Sequence, residues 1–179
     1  PARSLSELAR VSADGSKTIT MMLPPQSGRV IFRTENTELV SQLIEGTFPD
    51  YAQIIPQGHD TRTVLSTDAF LKACKQAEIF AREGSLIAQV SITPGGDLKP
   101  GTVEISGQSE ETGSNQTIVD ASIDGPPVLI AFNVRYLREV LDVVHTPNVA
   151  LETTTGTSPG VIRPVGEKDF LHVIMPMHL

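Results

Sequence analysis

The sequence has one cysteine and no long apolar segment. The single cysteine, Cys74, excludes an internal disulfide and fits a reducing cytoplasm. No apolar run approaches the roughly 20 residues that a membrane-spanning helix needs. The first residues, PARSLSEL, lack the basic start and apolar stretch of a secretory signal, and they do not include an initiating Met. We therefore expect a cytoplasmic chain that was cut from a longer protein.

Patterns typical of enzymes are also missing. His59, His145, His172 and His178 are scattered and show no metal-ligand spacing. No serine lies in a nucleophile elbow, and no glycine-rich segment has the spacing that cradles phosphate. Residues 94–97, which read PGGD, predict a hairpin turn instead. We expect no catalytic activity, no metal site and no cofactor.

The chain is acidic, with a formal net charge of -7 at pH 7. This charge favours solubility and argues against a protein that wraps nucleic acid through a broadly basic surface. It leaves open a protein that keeps a few basic residues on a single face.

Apolar periodicity predicts a repeated arrangement of helices and strands. Helical spacing marks residues 5–12, 70–81 and 134–144, and Ser66 or Thr67 is the predicted N-cap of the second helix. Turn residues predict breaks at 94–97, 113–115 and 125–127. Alternation of apolar and polar residues predicts strands in 18–23, 29–34, 39–44, 62–65, 88–93, 103–106, 119–124, 149–153, 160–163 and 170–175.

The pattern of one helix followed by three strands therefore occurs three times. The helix centres lie roughly 65 residues apart, which indicates an internal repeat. The predicted class is α+β, with antiparallel sheets and helices on one face. We predict a boundary after residue 56, so that residues 57–179 hold a complete pair of repeats and residues 48–56 form an extended linker.

Three separated motifs resemble one protein family. Residues 43–51 read LIEGTFPDY, similar to the linker of the bacterial DNA sliding clamp, the beta subunit of the replicative polymerase. Residues 132–137 read FNVRYL, similar to the start of that family's last helix, and residues 173–179 read VIMPMHL, similar to its C-terminus. The motifs occur in the family's order, so the resemblance covers essentially the whole chain.

The resemblance implies a DNA-clamp fold and a role as a processivity factor. In this family two subunits close head to tail around duplex DNA, with helices lining the hole and sheets outside. Polymerases, the clamp loader and repair proteins dock short peptides onto the ring. Residues 1–56 would be the second half of the middle domain plus the linker, and residues 57–179 the third domain.

The resemblance also implies a peptide-binding pocket. Met175 and Met177 are flexible and polarizable, so they adapt to different apolar side chains, although by sequence alone they read as core or tail residues. Asn133 and Tyr136 offer hydrogen bonds that orient a peptide. His178 stands where the family usually carries Arg, and the family's Thr-Asp-Gly-x-Arg loop on the other pocket wall is not in this sequence. The implied pocket comprises Pro49, Ile54, Asn133, Tyr136, Thr157, Pro159, Val173, Ile174, Met175, Pro176, Met177, His178 and Leu179.

Basic residues on the predicted helices would face the DNA. A few cations at a distance from the phosphates suit loose, sequence-independent contact. The acidic neighbours Glu78, Glu139 and Asp142 instead favour an ordinary solvated helix face. The implied DNA-facing residues are Lys72, Lys75, Arg82, Arg135, Arg138, Arg3 and Arg10.

The ring interface would involve the end of the second helix. Ile79 and Phe80 match the apolar pair that family dimers bury, whereas the other interpretation is an intramolecular core. Glu110 and Glu111 would pair with a basic partner surface or form a solvated turn. The family's first domain is absent from this sequence, so we expect that the chain does not close a ring.

Two other interpretations of the chain remain. The first is a non-enzymatic α+β structural or ligand-binding module unrelated to replication. The second is a hydrolase with a dispersed His/Asp site. Binding of a Gln-Leu-x-Leu-Phe-type peptide without hydrolysis would separate a clamp from both.

Overall fold

The computed structural model describes residues 1–13, 18–82, 85–96, 99–109, 111 and 113–178. The chain forms two compact units, Pro1–Pro49 and Asp50–Leu179. The predicted domain boundary after residue 56 stays a prediction. Within the described ranges, no helix is both long enough and apolar enough to cross a membrane.

The described part of the first unit contains one helix and a three-stranded antiparallel sheet in the order β1-β2-β3. Val30 and Phe32 alternate along the central strand and are the buried apolar residues of the described part of this unit. Ser4 and Ser41 join the helix to the third strand through an Oγ–Oγ hydrogen bond of 2.7 Å. The elements are α1 (Ala2–Ser12), β1 (Thr20–Met22), β2 (Arg29–Arg33) and β3 (Glu38–Gln42).

The second unit contains two copies of a strand-helix-three-strand repeat, preceded by a short 3-10 helix at Tyr51–Gln53. The first copy consists of β4 (Thr61–Ser66), α2 (Thr67–Ala81), β5 (Ile87–Thr93), β6 (Gly101–Ser109) and β7 (Gly113–Asp124). The second copy consists of β8 (Val128–Asn133), α3 (Val134–Val143), β9 (Asn148–Thr153), β10 (Gly160–Pro164) and β11 (His172–Ile174).

The eight strands of this unit form one antiparallel sheet in the order β11-β10-β9-β4-β7-β6-β5-β8. The two ends of this order meet, because Phe132 of β8 forms an antiparallel bridge with Pro176, just beyond β11. The sheet therefore comes back on itself at the chain's tail. Buried side chains of α2, α3 and the strands form one core cluster.

Helix α2 packs closely on the sheet because its buried face is mostly small. Ser66 is the N-cap and its Oγ accepts a hydrogen bond from the amide of Ala69. The buried face includes Phe70 and a series of alanines. A side chain at Gly107 of β6 would collide with the backbone carbonyl of Ala77, so a residue without a Cβ is needed at this contact.

Helix α3 buries one stripe of a strongly amphipathic sequence. Val134, Leu137, Val140 and Leu141 are its buried residues, at the spacing of one helix face. The helix follows β8 directly, so the residue that ends the strand, Asn133, also caps the helix. This direct connection fixes the start of α3 beside the end of β8.

The α+β class and the three predicted helices are confirmed, and Ser66 is the N-cap of the second. The predicted repeat of one helix and three strands was incomplete, because β8 was not predicted. Each repeat of the second unit begins with a strand, which is β4 in the first copy and β8 in the second.

One predicted turn was wrong. Residues 113–115 belong to β7, where Ser114 pairs with Gln108 and Asn115 pairs with Gly107 of β6. Gly113 has a positive φ of 95°, so its glycine permits the strand to begin there after the turn.

Candidate peptide-binding and DNA-facing surfaces

Strand β8 brings the tail of the chain into place. Beyond the Phe132–Pro176 bridge, the amide of Met177 donates a hydrogen bond of 2.8 Å to the carbonyl of Ala131. Since successive residues of a strand face opposite sides, Met175 and Met177 lie on one side of the tail and Pro176 on the other. Met175 is 60% exposed and Met177 is 37% exposed. Two adaptable thioether side chains are thus presented to solvent on a fixed backbone.

The loop between β9 and β10 packs on the same strand. A side chain at Gly156 would collide with the carbonyl oxygen of Leu129, and one at Gly160 would meet the ring of Phe132 at 2.8 Å. Gly156 in the loop and Gly160 at the start of β10 therefore let this part of the chain approach β8 closely. The loop contains two of the predicted pocket residues, Thr157 and Pro159.

Hydroxyl groups hold the loop's own shape. Thr155 Oγ1 lies 2.7 Å from Ser158 Oγ and 3.3 Å from Thr157 Oγ1. The Thr155 Oγ1 also accepts a hydrogen bond from the amide of Thr157 at 3.3 Å. Thr157 is exposed and Pro159 is half-buried. The arrangement is a compact turn with an exposed polar rim.

The N-terminal turn of α3 contributes an amide and a phenol. Asn133 Oδ1 accepts a hydrogen bond from the amide of Arg135 at 3.0 Å. The Asn133 Nδ2 group is therefore the part of this side chain that remains to donate. Tyr136 lies in the first turn of α3 and is 54% exposed.

The remaining predicted pocket residues are spread more widely. Val173 is half-buried and Ile174 is buried in β11, so Ile174 is a core residue rather than an exposed contact. His178 is exposed, and Leu179 lies outside the described residues. Ile54, which ends the short 3-10 helix, is 48% exposed. Pro49 is exposed and belongs to the first unit.

Leu129 is an exposed apolar residue that the sequence analysis missed. Its side chain is 49% exposed although it lies in β8, and its carbonyl is the one against which Gly156 packs. It alternates with Ala131 and Asn133 along the strand, so all three face the same side. The sequence analysis missed Leu129 because it did not predict strand β8.

The predicted DNA-facing residues of α2 and α3 lie at the surface, and several are paired with carboxylates. Lys72, Lys75, Arg82 and Arg135 are exposed, and Arg138 is half-buried. The recorded pairs are Lys75–Asp142 at 3.1 Å, Arg138–Glu78 at 3.0 Å and Arg135–Glu139 at 3.6 Å.

The two predicted DNA-facing residues of the first unit lie on α1. Arg3 is exposed, and Arg10 forms an ion pair with Glu7 one turn earlier in the helix. The hydrogen bond from Arg10 holds the pKa of the Glu7 carboxyl below its usual value. Contact with phosphate would therefore compete with a local ion pair at Arg10.

The two apolar residues predicted at a ring interface differ in exposure. Ile79 is 67% exposed near the end of α2, whereas Phe80 is half-buried. Glu111 is exposed, and Glu110 lies outside the described residues. Ile79 is the member of the pair that is available for an intermolecular contact.

Strand β7 has an edge close to this helix end. Its residues 113–121 pair with β6, whereas β4 pairs only with residues 121–124. Among the described residues no second strand covers the first part of β7, although Gln76 of α2 accepts a hydrogen bond from Thr117 Oγ1 at 2.9 Å. The sequence analysis did not identify this edge, because strand order is not visible in a strand's own residues.

Two titratable groups in the second unit are affected by burial. Cys74 is fully buried and free, and desolvation raises the pKa of its thiol well above the usual range. Cys74 therefore belongs to the core of the second unit. Partial burial of His172 in β11 lowers the pKa of its imidazole. Within the part of the chain that the structure describes, no group of His, Cys, Asp and Glu side chains is placed to hold a metal ion.

Comparison with known proteins gives a consistent result. A family model described as DNA polymerase III beta subunit, C-terminal domain, matches residues 52–178. The beta sliding clamp of Synechococcus elongatus is 28% identical over 179 residues, which is 100% of this chain and 47% of that protein. The clamp of Staphylococcus aureus is 27% identical over 178 residues, which is 99% of this chain and 45% of that protein. The chain thus spans about half the length of these curated relatives.

Solved structures show the same similarity. The DNA polymerase III beta subunit of Thermotoga maritima has a TM-score of 0.80 and 25% identity, over 98% of this chain and 46% of that chain. The C. crescentus beta sliding clamp has a TM-score of 0.85 and 26% identity, over 100% of this chain and 46% of that chain. The DNA-clamp fold predicted from the sequence is therefore confirmed. Because the family model covers more than half of the chain, this chain belongs to the DNA polymerase III beta subunit family, the beta sliding clamps.

Proposed function

We propose that the chain is part of a bacterial sliding clamp that acts as a processivity factor and has no catalytic site of its own. A complete clamp of this kind would encircle duplex DNA, slide without sequence preference and hold a polymerase by topology. Membership of the beta subunit family supports this proposal and does not favour a module unrelated to replication. A cytoplasmic location follows from the same proposal.

We further propose that residues 1–56 are the second half of the middle clamp domain plus the linker, and residues 57–179 the third domain. The small sheet of the first unit and the paired repeats of the second support this assignment. The family model, which begins at residue 52, is close to the proposed boundary.

The proposed docking site for partner peptides lies where the tail, the β9–β10 loop and α3 meet β8. The observation that carries this proposal is the hydrogen bond from the Met177 amide to Ala131, which holds exposed methionine side chains beside that strand. Methionine suits partners with different apolar anchors, because its unbranched side chain adapts to several shapes. The proposed partners are polymerase subunits, the clamp loader and repair proteins that present short peptide motifs.

Asn133 would recognise the backbone of such a peptide. Its Oδ1 already caps α3, so the Nδ2 group would donate to a peptide carbonyl. Tyr136 would add a phenol that both donates and accepts. A few polar groups around an apolar contact are what fixes the orientation of a bound ligand.

Fluorescence polarization with a labelled Gln-Leu-x-Leu-Phe-type peptide tests this proposal. We expect saturable binding to this chain and weaker binding to Met177→Ala. The control is Met21→Ala, which removes the same type of side chain from a 60% exposed position in the first unit. Equal loss in both variants, or no loss at Met177, would argue against the proposed site.

If the unaltered chain does not bind the peptide, a second experiment is needed to find the cause. The family loop on the other pocket wall is not in this sequence. The same titration on a chain extended through the middle domain would distinguish a missing wall from a wrong function. Absence of binding there as well would contradict the proposed docking role.

The basic residues Lys72, Lys75, Arg82, Arg135 and Arg138 are proposed to face DNA in the complete ring. Their contacts would be loose, since tight base-specific hydrogen bonds would oppose sliding. Arg3 and Arg10 on α1 would do the same in the middle domain.

For ring closure we propose a contact with the first domain of a second subunit. Ile79 is exposed, and the adjoining edge of β7 has unpaired backbone groups that another strand could use. Glu110 and Glu111 are proposed to pair with a basic surface of the partner domain. Phe80 is half-buried and would contribute only in part.

A further inference from the structure

Two ion pairs connect α2 and α3 in opposite directions. Lys75 of α2 lies with its Nζ 3.1 Å from Asp142 Oδ1 of α3. Arg138 of α3 lies with its Nε 3.0 Å from Glu78 Oε2 of α2. Each helix thus supplies one cation and one carboxylate to its neighbour. Both cations belong to the surface that is proposed to face DNA.

The other charges of the two helices are also balanced. Arg135 Nε lies 3.6 Å from Glu139 Oε1 within α3. Each helix carries two basic and two acidic side chains, so their formal charges sum to zero. These residues are Asp68, Lys72, Lys75 and Glu78 in α2 and Arg135, Arg138, Glu139 and Asp142 in α3.

The Arg138–Glu78 contact is the less exposed of the two cross-helix pairs. The side chain of Glu78 is 19% exposed and that of Arg138 is 31% exposed. The Arg138 Nε is buried and, among the residues that the structure describes, has no aligned hydrogen-bond acceptor, so its contact with Glu78 is mainly Coulombic. A partly desolvated pair attracts more strongly than a fully solvated one, because screening by water is reduced.

We infer that Glu78 and Asp142 restrain Arg138 and Lys75 from DNA phosphates, so that these two cations contribute less to DNA binding than unpaired cations would. The inference rests on the proposed function, since α2 and α3 face DNA only in a clamp. A phosphate that recruits Lys75 must replace Asp142, and the released carboxylate then repels the DNA backbone. The exchange gains little free energy, which suits a surface over which DNA slides.

Salt dependence of DNA binding measures how many cations take part. Each phosphate contact to duplex DNA contributes about 0.9 to the slope of log affinity against log salt. Neutralising both carboxylates releases two cations for phosphate contact. In Glu78→Gln/Asp142→Asn we therefore expect tighter binding of a labelled duplex at low salt and a slope steeper by about 1.8. Asp142→Asn alone should steepen it by about 0.9.

The matched control is Glu104→Gln/Asp124→Asn. It changes the formal charge of the chain by the same amount, but at β6 and β7 instead of the two helices. A local restraint predicts a nearly unchanged slope in this control. An equal steepening in the control would overturn the inference, because net charge would then explain the result.

Folding and peptide binding are measured on the same samples. Asp142 is exposed, so Asp142→Asn should melt like the unaltered chain and keeps the test valid if the double variant is less stable. Peptide binding with an unchanged DNA slope in both variants would overturn the inference and leave the proposed function standing. If the variants leave the salt dependence of DNA binding unchanged and the unaltered chain binds no peptide, both the inference and the proposed function are contradicted.

Discussion

The amide of Met177 donates a 2.8 Å hydrogen bond to the carbonyl oxygen of Ala131, across 46 positions of the sequence. This contact, with the Phe132–Pro176 bridge, lays the tail along β8. The same strand receives the β9–β10 loop and leads directly into α3. One strand therefore positions the loop, the tail and the helix that together form the proposed docking site.

Removing this backbone donor should release the tail. Met177→Pro has no amide hydrogen, whereas Met177→Ala keeps it. We expect Met177→Pro to lose about 1 kcal/mol or more of unfolding free energy, because a carbonyl is left without its partner. Met177→Ala should lose less stability and still weaken peptide binding. Urea unfolding and polarization on both variants check this, and equal behaviour of the two would show that the hydrogen bond contributes nothing.

The lowered pKa of His172 leads us to expect that the stability of the chain depends on pH. Its pKa is lowered by burial in the folded state, so the unfolded chain binds its proton more readily. Stability is then fully present above the ordinary histidine value of 6.5 and falls as the pH drops below it toward the lowered folded pKa. We expect a decreasing melting temperature over that window.

The variant His172→Gln separates this residue from the other titrating groups. The part of the acid destabilisation that belongs to His172 should disappear in it. His145→Gln, which alters an exposed histidine beyond α3, is the control and should keep the dependence. Identical pH profiles for His172→Gln and the unaltered chain would contradict the assignment.

The regular strands could be predicted because each hides one face. In β5, Ala88, Val90 and Ile92 are buried while their neighbours are partly exposed, and this produces the alternation that the sequence shows. In β8 the side chains from Ile130 to Phe132 are all buried, so its sequence has no period of two. The docking site could be assigned only by resemblance, because its contacts join residues far apart in the chain.

The ion pairs, too, could be predicted from the sequence only where both residues lie on one helix. Arg135 and Glu139 are four residues apart on one helix, so their proximity is visible in the sequence. The Lys75–Asp142 and Arg138–Glu78 pairs depend on how α2 packs beside α3. A list of basic residues therefore predicted a surface without showing that two of its cations are paired with carboxylates of the neighbouring helix.

The contact between Gly107 and Ala77 predicts a strong effect of one methyl group. In Gly107→Ala the added Cβ collides with the backbone of α2, which cannot move without disturbing the core. Overpacking of this kind costs about 1–3 kcal/mol, and we expect at least that loss in urea unfolding. Gly58→Ala is the matched control, since a Cβ there meets nothing within 4 Å. A Gly107→Ala variant as stable as the control would show that α2 is not held at this distance.

Hydrogen exchange should distinguish the two units. In the described part of the first unit the buried apolar residues are Val30 and Phe32, whereas the second unit has an extensive core. A three-stranded sheet with so few buried side chains has outer edges and little to oppose local opening. We expect faster amide exchange in β1–β3 than in β5–β7. Uniform protection along the chain would contradict this expectation, and weak protection confined to the first unit would agree with its assignment as half of a clamp domain.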